Sequence, residues 1–142
     1  MRARWLVALA PIAIAAPRIA HAQEDVSALI KLVDEQPAGM DRAAWKEKRR
    51  EAARKLVASG DKRAVPVLMK VAASETFDII GETAIEGLGT LGDPQAVPTL
   101  QQIEADPSRD AGQRTLARKA LAKLGAKPSA AVAPGGGGGG GS

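Results

Sequence analysis

The sequence predicts an all-α fold, a short α-solenoid of about six helices in three antiparallel pairs with disordered termini, and three observations carry that reading. A 13-residue block recurs at a spacing of 32 residues. The apolar residues between its chain breakers fall at helical spacing. Alternation of period two is nowhere sustained, which argues against strands.

The recurring block is LVASGDKRAVPVL at 56–68 and LGTLGDPQAVPTL at 88–100. Seven of the 13 positions are identical, where average amino-acid usage gives about one by chance. A third copy begins 33 residues further on, where Leu121 to Gly125 matches Leu88 to Gly92. Repeats of this period are the signature of stacked supersecondary units.

The helices are expected at about 24–36, 42–59, 65–75, 77–91, 97–105 and 110–124. Glu24 and Asp25 suit the first turn of the first helix, where carboxylates face the positive end of the helix dipole. Pro37-Ala38-Gly39 breaks the chain before the second. That second helix is dense in charge, from Arg42 through Lys55, with Glu51 and Lys55 four residues apart and able to pair. Gly60, Gly92 and Gly125 stand where helices must end, because glycine accepts the left-handed conformation that closes them. Asp61 and Asp93 follow at once and can cap or turn the chain. Pro66 and Pro98 lack an N–H and belong in a first helical turn. The Ala-Val before each proline reads as a tight turn. Leu68, Val71 and Ala72 form the apolar stripe of the third helix. Ile80, Ala84, Leu88 and Leu91 form that of the fourth, and Leu116, Ala117, Ala120, Leu121 and Leu124 that of the sixth. Gly81, Gly87 and Gly89 weaken the fourth helix by about 1 kcal/mol each against alanine, and the presence of Gly87 and Gly89 there predicts close helix–helix contact. Asp106 to Asp110 is an acidic loop without the regular spacing of a calcium loop, so Asp110 reads as the cap of the last helix.

Leu-Gly-Asp-x-x-Ala-Val-Pro-x-Leu, present at 91–100 and, with Ser59 for the first leucine, at 59–68, resembles the short HEAT-like repeat first associated with phycobilisome lyases. The resemblance covers roughly residues 42–125. It is specific for the repeat and carries no single function. It implies a right-handed stack of helix pairs, with helices 65–75 and 97–105 lining an inner face and the end pairs acting as caps.

The ends of the chain differ in composition from this middle. Residues 1–22 read as a secretory signal peptide: Arg2 and Arg4, an apolar run from Trp5 to Ala16, and Ala20-His21-Ala22 as a cleavage site ahead of Gln23. The run is too short and too broken by Pro11, Pro17 and Arg18 for a spanning helix. Residues 126–142 form an Ala/Pro/Gly-rich tail, with seven consecutive glycines at 135–141, and are expected to be disordered. The domain is then 23–125.

Loss of residues 1–22 removes three arginines, so 20 basic residues become 17 against 16 acidic ones, a net of +1. A basic isoelectric point is then weak evidence for a nucleic-acid partner, and the mature chain is poor in the aromatic residues that stack on bases. Trp45 and Phe77 are expected to pack in the core or between repeats. Cysteine and tyrosine are absent and the one histidine, His21, leaves with the signal. That removes thiol chemistry, disulfides, and the commonest general base and metal ligand. The sequence therefore points to an exported, periplasmic or extracellular, non-catalytic monomer. It is expected to use no metal or cofactor and to hold a protein or peptide on its inner face. The expected contacts there are Met69, Lys70, Ala73, Gln101 and Gln102, which point away from the apolar stripes. Two other classes of function are kept: an accessory subunit related to the bilin-lyase HEAT proteins, and a binder of anionic surfaces through the basic outer residues Arg50, Arg54, Arg118, Lys119 and Lys123.

Overall fold

A computed structural model describes residues 18–127 of the 142. Six α-helices follow one another: α1 (Arg18–Asp34), α2 (Arg42–Ser59), α3 (Val65–Ser74), α4 (Ile79–Leu91), α5 (Val97–Ala105) and α6 (Ala111–Lys123). Short 3₁₀ turns at Lys62–Ala64 and Pro94–Ala96 lead into α3 and α5. There is no strand among the described residues. Most of the expected signal segment and the tail beyond Lys127 lie outside them.

Aspartate caps five of the eight described helical elements. Asp41 accepts the Ala44 N–H at 3.0 Å ahead of α2, Asp78 the Ile80 N–H at 3.1 Å ahead of α4, and Asp110 the Gly112 and Gln113 N–H groups ahead of α6. Each satisfies a donor that the first helical turn leaves without an intrahelical partner. Asp61 and Asp93 do the same for the two 3₁₀ turns, each accepting the N–H two residues on at 2.9 Å. Pro66 and Pro98 sit in the first turns of α3 and α5, and the preceding Ala-Val joins the 3₁₀ turn to the α-helix. Gly60 and Gly92 close α2 and α4 in the left-handed region, at φ 68° and 70°.

Two sequence expectations need correction. The first helix starts at Arg18, not near residue 24, so Glu24 and Asp25 lie well inside it. Residues 18–23 contain no helix breaker, and the helix extends back to the residue after Pro17. A cut after Ala22 would remove its first five residues. The fourth helix starts at Ile79, two residues later than expected, because Asp78 is extended and caps it. Phe77 therefore falls outside the helix and is 91% exposed, not packed. Trp45 does pack: it is half-buried within the first pair, and its indole N–H donates to the Leu32 carbonyl at 2.8 Å.

Sequential helices pair, α1 with α2, α3 with α4 and α5 with α6. The pairs stack into two layers. In one, α4 lies closely between α2 and α6; in the other, α3 touches α1 and α5 sparsely. The close layer depends on the glycines of α4. A Cβ at Gly87 would stand 2.3 Å from Val57 Cγ2 of α2, and one at Gly89 would stand 2.8 Å from Ala120 Cα of α6. Leu56, Leu68, Ile85, Leu88, Leu100 and Leu121 are fully buried in one apolar cluster running through all three pairs. Burial of each such side chain is worth about 2–3 kcal/mol.

Candidate interaction surface

The corner between α3 and α4, residues 75–78, is held from both sides by polar groups of other helices. From α2, Arg49 pairs with Glu75, and Lys46 and Arg50 meet the Asp78 carboxylate at 2.9 and 3.0 Å. From the α6 side, Gln113 donates to the Glu75 carbonyl at 3.1 Å, and Arg109 donates to the Ala73 carbonyl. Arg109 and Gln113 are themselves buried and joined at 2.8 Å. Buried polar side chains with satisfied partners fix one arrangement of the backbone that they touch. Gly81 completes the corner: a Cβ there would stand 2.1 Å from the Glu75 carbonyl oxygen.

A pocket of about 160 Å³ opens beside this corner, between α2 and residues 75–80. Trp45, Arg42 and Lys46 form its α2 side. The Arg49 guanidinium lies 5.0 Å from the centre of the Trp45 ring, within cation–π range, and also donates to the Val33 carbonyl at 2.8 Å. Burial alone would raise the pKa of Asp78. Its hydrogen bonds to Lys46, the Ile80 N–H and Arg50 outweigh that and lower it to about 2. Asp78 is thus a fixed anion that holds Lys46 and Arg50 in place. Phe77 projects from the chain between the two pocket-lining acids Glu75 and Asp78, and the next residue beyond, Ile79, is also exposed at 55%.

On the other side of the corner, Ala73, Thr99, Gln102, Ile103, Asp106 and Arg109 line a second pocket of about 160 Å³ between α3 and α5. The structure thus brings together two of the five residues expected on the inner face, Ala73 and Gln102. Met69 is half-buried against the core. Lys70 is engaged by Asp34 of α1, and Gln101 donates to the Lys127 carbonyl at 3.3 Å. The Asp106 carboxylate accepts from the Ser108 hydroxyl and N–H, which hold its pKa below the usual carboxylate range.

The expected basic outer surface divides in two. Arg50 is turned into the corner and shared between Asp78 and Glu47, and Arg118 pairs with Glu104 at 3.0 Å. Arg54, Lys119 and Lys123 are exposed. Glu51 and Lys55 pair as the spacing predicts, at 2.8 Å. Sequence reasoning missed Phe77, Arg49 and Lys46 as a group. The available signal was Asp78 itself, a capping residue type whose use as a cap puts Phe77 in the loop.

Among the described residues, no group of three or more His, Cys, Asp or Glu is placed to hold a metal ion, and no helix is long and apolar enough to cross a membrane. The family model of HEAT repeats matches residues 38–122. No curated protein and no solved structure matches the chain.

Proposed function

The chain belongs to the HEAT repeat family, and on that premise we propose that it is a non-catalytic scaffold, acting outside the cytoplasm, that holds a protein or peptide segment. HEAT repeats generally serve as protein-interaction scaffolds, and each repeat exposes the face that does not enter the shared core. The observation that carries the reading here is the groove between α3 and α5. Its floor is set by Arg109, already committed to Ala73 and Gln113, while Ala73 and Gln102 stand exposed at its rim. A groove with a fixed floor and unengaged rim side chains offers adaptable contacts without rearrangement of the fold. The export part of the proposal is supported by residues 1–22, with their basic start, apolar run and small-residue cleavage pattern.

The test is a crosslinking capture from an envelope extract with the chain expressed from its own N-terminus, beside an Ala73→Arg/Gln102→Glu variant. The expected result is a mature N-terminus at Gln23 and a specific partner. The variant should lose that partner by about tenfold or more at an unchanged melting temperature. A partner retained by the variant but released by moderate salt would move binding to Arg54, Lys119 and Lys123, since exposed charge pairs are screened within about 8–10 Å. Absence of any specific partner would overturn the scaffold reading.

A further inference from the structure

We infer that the α3–α4 corner is a docking point for a linear segment of a partner protein in which an acidic residue neighbours an apolar one, with Phe77 and Ile79 making the apolar contact and Arg42 with Lys46 taking the carboxylate. The inference rests on the scaffold reading above and adds to the α3–α5 groove a second contact surface, across the corner from it, with its chemistry.

Three observations meet at this corner. The first is Phe77, which at 91% exposure spends its whole ring in water, with Ile79 exposed beside the same cap. An exposed aromatic next to a pocket is the residue type that dominates binding energy at protein interfaces. The second is rigidity. Glu75, two residues before Phe77, is anchored to Arg49 and Gln113, and Asp78, the residue after it, to Lys46 and Arg50. The ring's backbone is therefore ordered before any partner arrives, so little entropy is left to lose on association.

The third observation is charge. Four cations line the pocket against two carboxylates, Glu75 and Asp78. Arg49 is taken by Glu75 and the Val33 carbonyl, and Arg50 by Asp78 and Glu47. Lys46 reaches Asp78 but keeps a side chain 55% exposed, and Arg42 is exposed and lines the pocket without an ion pair to any described residue. The uncompensated charge at the mouth is positive, which complements a carboxylate. A flat anionic membrane fits less well. It would press against the exposed Glu82 in the first turn of α4 as well as the pocket-lining Glu75 and Asp78, whereas a single carboxylate needs only Arg42 and Lys46.

The experiment is a phage-displayed random dodecapeptide library panned on the full chain, followed by calorimetric titration of an enriched peptide. The expected peptides place Asp or Glu within two positions of Phe, Trp or Leu. Phe77→Ala and Arg42→Glu should each weaken the peptide by about tenfold or more, while Lys119→Glu on α6 leaves it unchanged. All three side chains are exposed, so none of these variants threatens the fold. Enriched peptides without an acidic residue, an unchanged affinity for Phe77→Ala, or an empty library would overturn the inference. So would binding to phosphatidylglycerol vesicles that depends on Phe77 in the absence of peptide binding. Peptides that survive Phe77→Ala but are lost in Ala73→Arg/Gln102→Glu would overturn the corner and leave the scaffold reading standing.

Discussion

The Asp78 carboxylate accepts the Ile80 N–H at 3.1 Å, Lys46 at 2.9 Å and Arg50 at 3.0 Å. It therefore starts a helix and ties that helix to a neighbour with the same two oxygens. Its pKa in the fold, about 2, lies below the ordinary value of about 3.9 for an unfolded chain. A carboxyl group depressed by folding contributes stability that is fully present above about pH 4 and is lost as the pH falls through about 2. Asparagine caps a helix about as well as aspartate, so Asp78→Asn isolates the charge. We expect it to lower the unfolding free energy by about 1 kcal/mol at pH 7, and the gap to close near pH 2. Urea midpoints of both proteins at the two pH values measure this. A gap of the same size at both would mean that the ion pairs contribute nothing.

At the scale of the helix, α4 shows how a locally poor sequence can be the right one. Alanine exceeds glycine in helix propensity by about 1 kcal/mol, yet Gly87 and Gly89 are where α2 and α6 come closest. At Gly89 the obstacle to a Cβ is Ala120 Cα at 2.8 Å, which is backbone; at Gly87 it is the Cγ2 of Val57, a half-buried side chain. A side chain can turn aside more easily than a helix can move. Gly89→Ala is therefore expected to cost about 1–3 kcal/mol, and Gly87→Ala clearly less, both read from denaturant melts. Equal stabilisation by the two would show that propensity decides and that the close approach is incidental. These glycines were legible in the sequence because an unfavourable residue inside a helix asks for a packing reason. Asp61, Asp93 and Asp110 and the prolines of α3 and α5 were legible because their positions relative to a helix end follow from which backbone N–H groups lack partners. The start of α1 was not, since residues 18–23 look helical on either side of an expected cleavage point. Nor was the corner. Arg49 and Arg50 find Glu75 and Asp78 across 26 and 28 residues of chain, and in the sequence they are two more charges on a basic helix. Phe77, read by composition, is an apolar residue in a helical stretch; only the capping geometry of Asp78 puts it in water.

For the whole molecule, the decisive feature is that no pair owns its core. Leu56 of α2, Leu68 of α3, Ile85 and Leu88 of α4, Leu100 of α5 and Leu121 of α6 belong to one buried cluster, and α4 contacts both α2 and α6. A single pair standing alone would expose most of this surface, and stability in such stacks is shared between each unit and its neighbours. The polar ties run the same way: Arg109 and Gln113 of the last pair hold the α3–α4 corner of the middle one, and Arg50 of the first pair holds its other side. With only three pairs, the cost of separating any one of them is comparable to the stability of the whole. The stack should therefore unfold as one unit, and a cavity at either end should be felt everywhere. Leu56→Ala and Leu121→Ala, in the first and last pairs, are each expected to lower the unfolding free energy by about 2–5 kcal/mol. Helical circular dichroism, and the fluorescence of Trp45 in a Trp5→Phe background, should report the same shifted midpoint for both variants. Trp45 lies in the first pair, so it is the sensitive probe for Leu121→Ala. If its transition stays at the wild-type midpoint while the circular dichroism falls early, the last pair melts alone, and the shared core does not couple the ends.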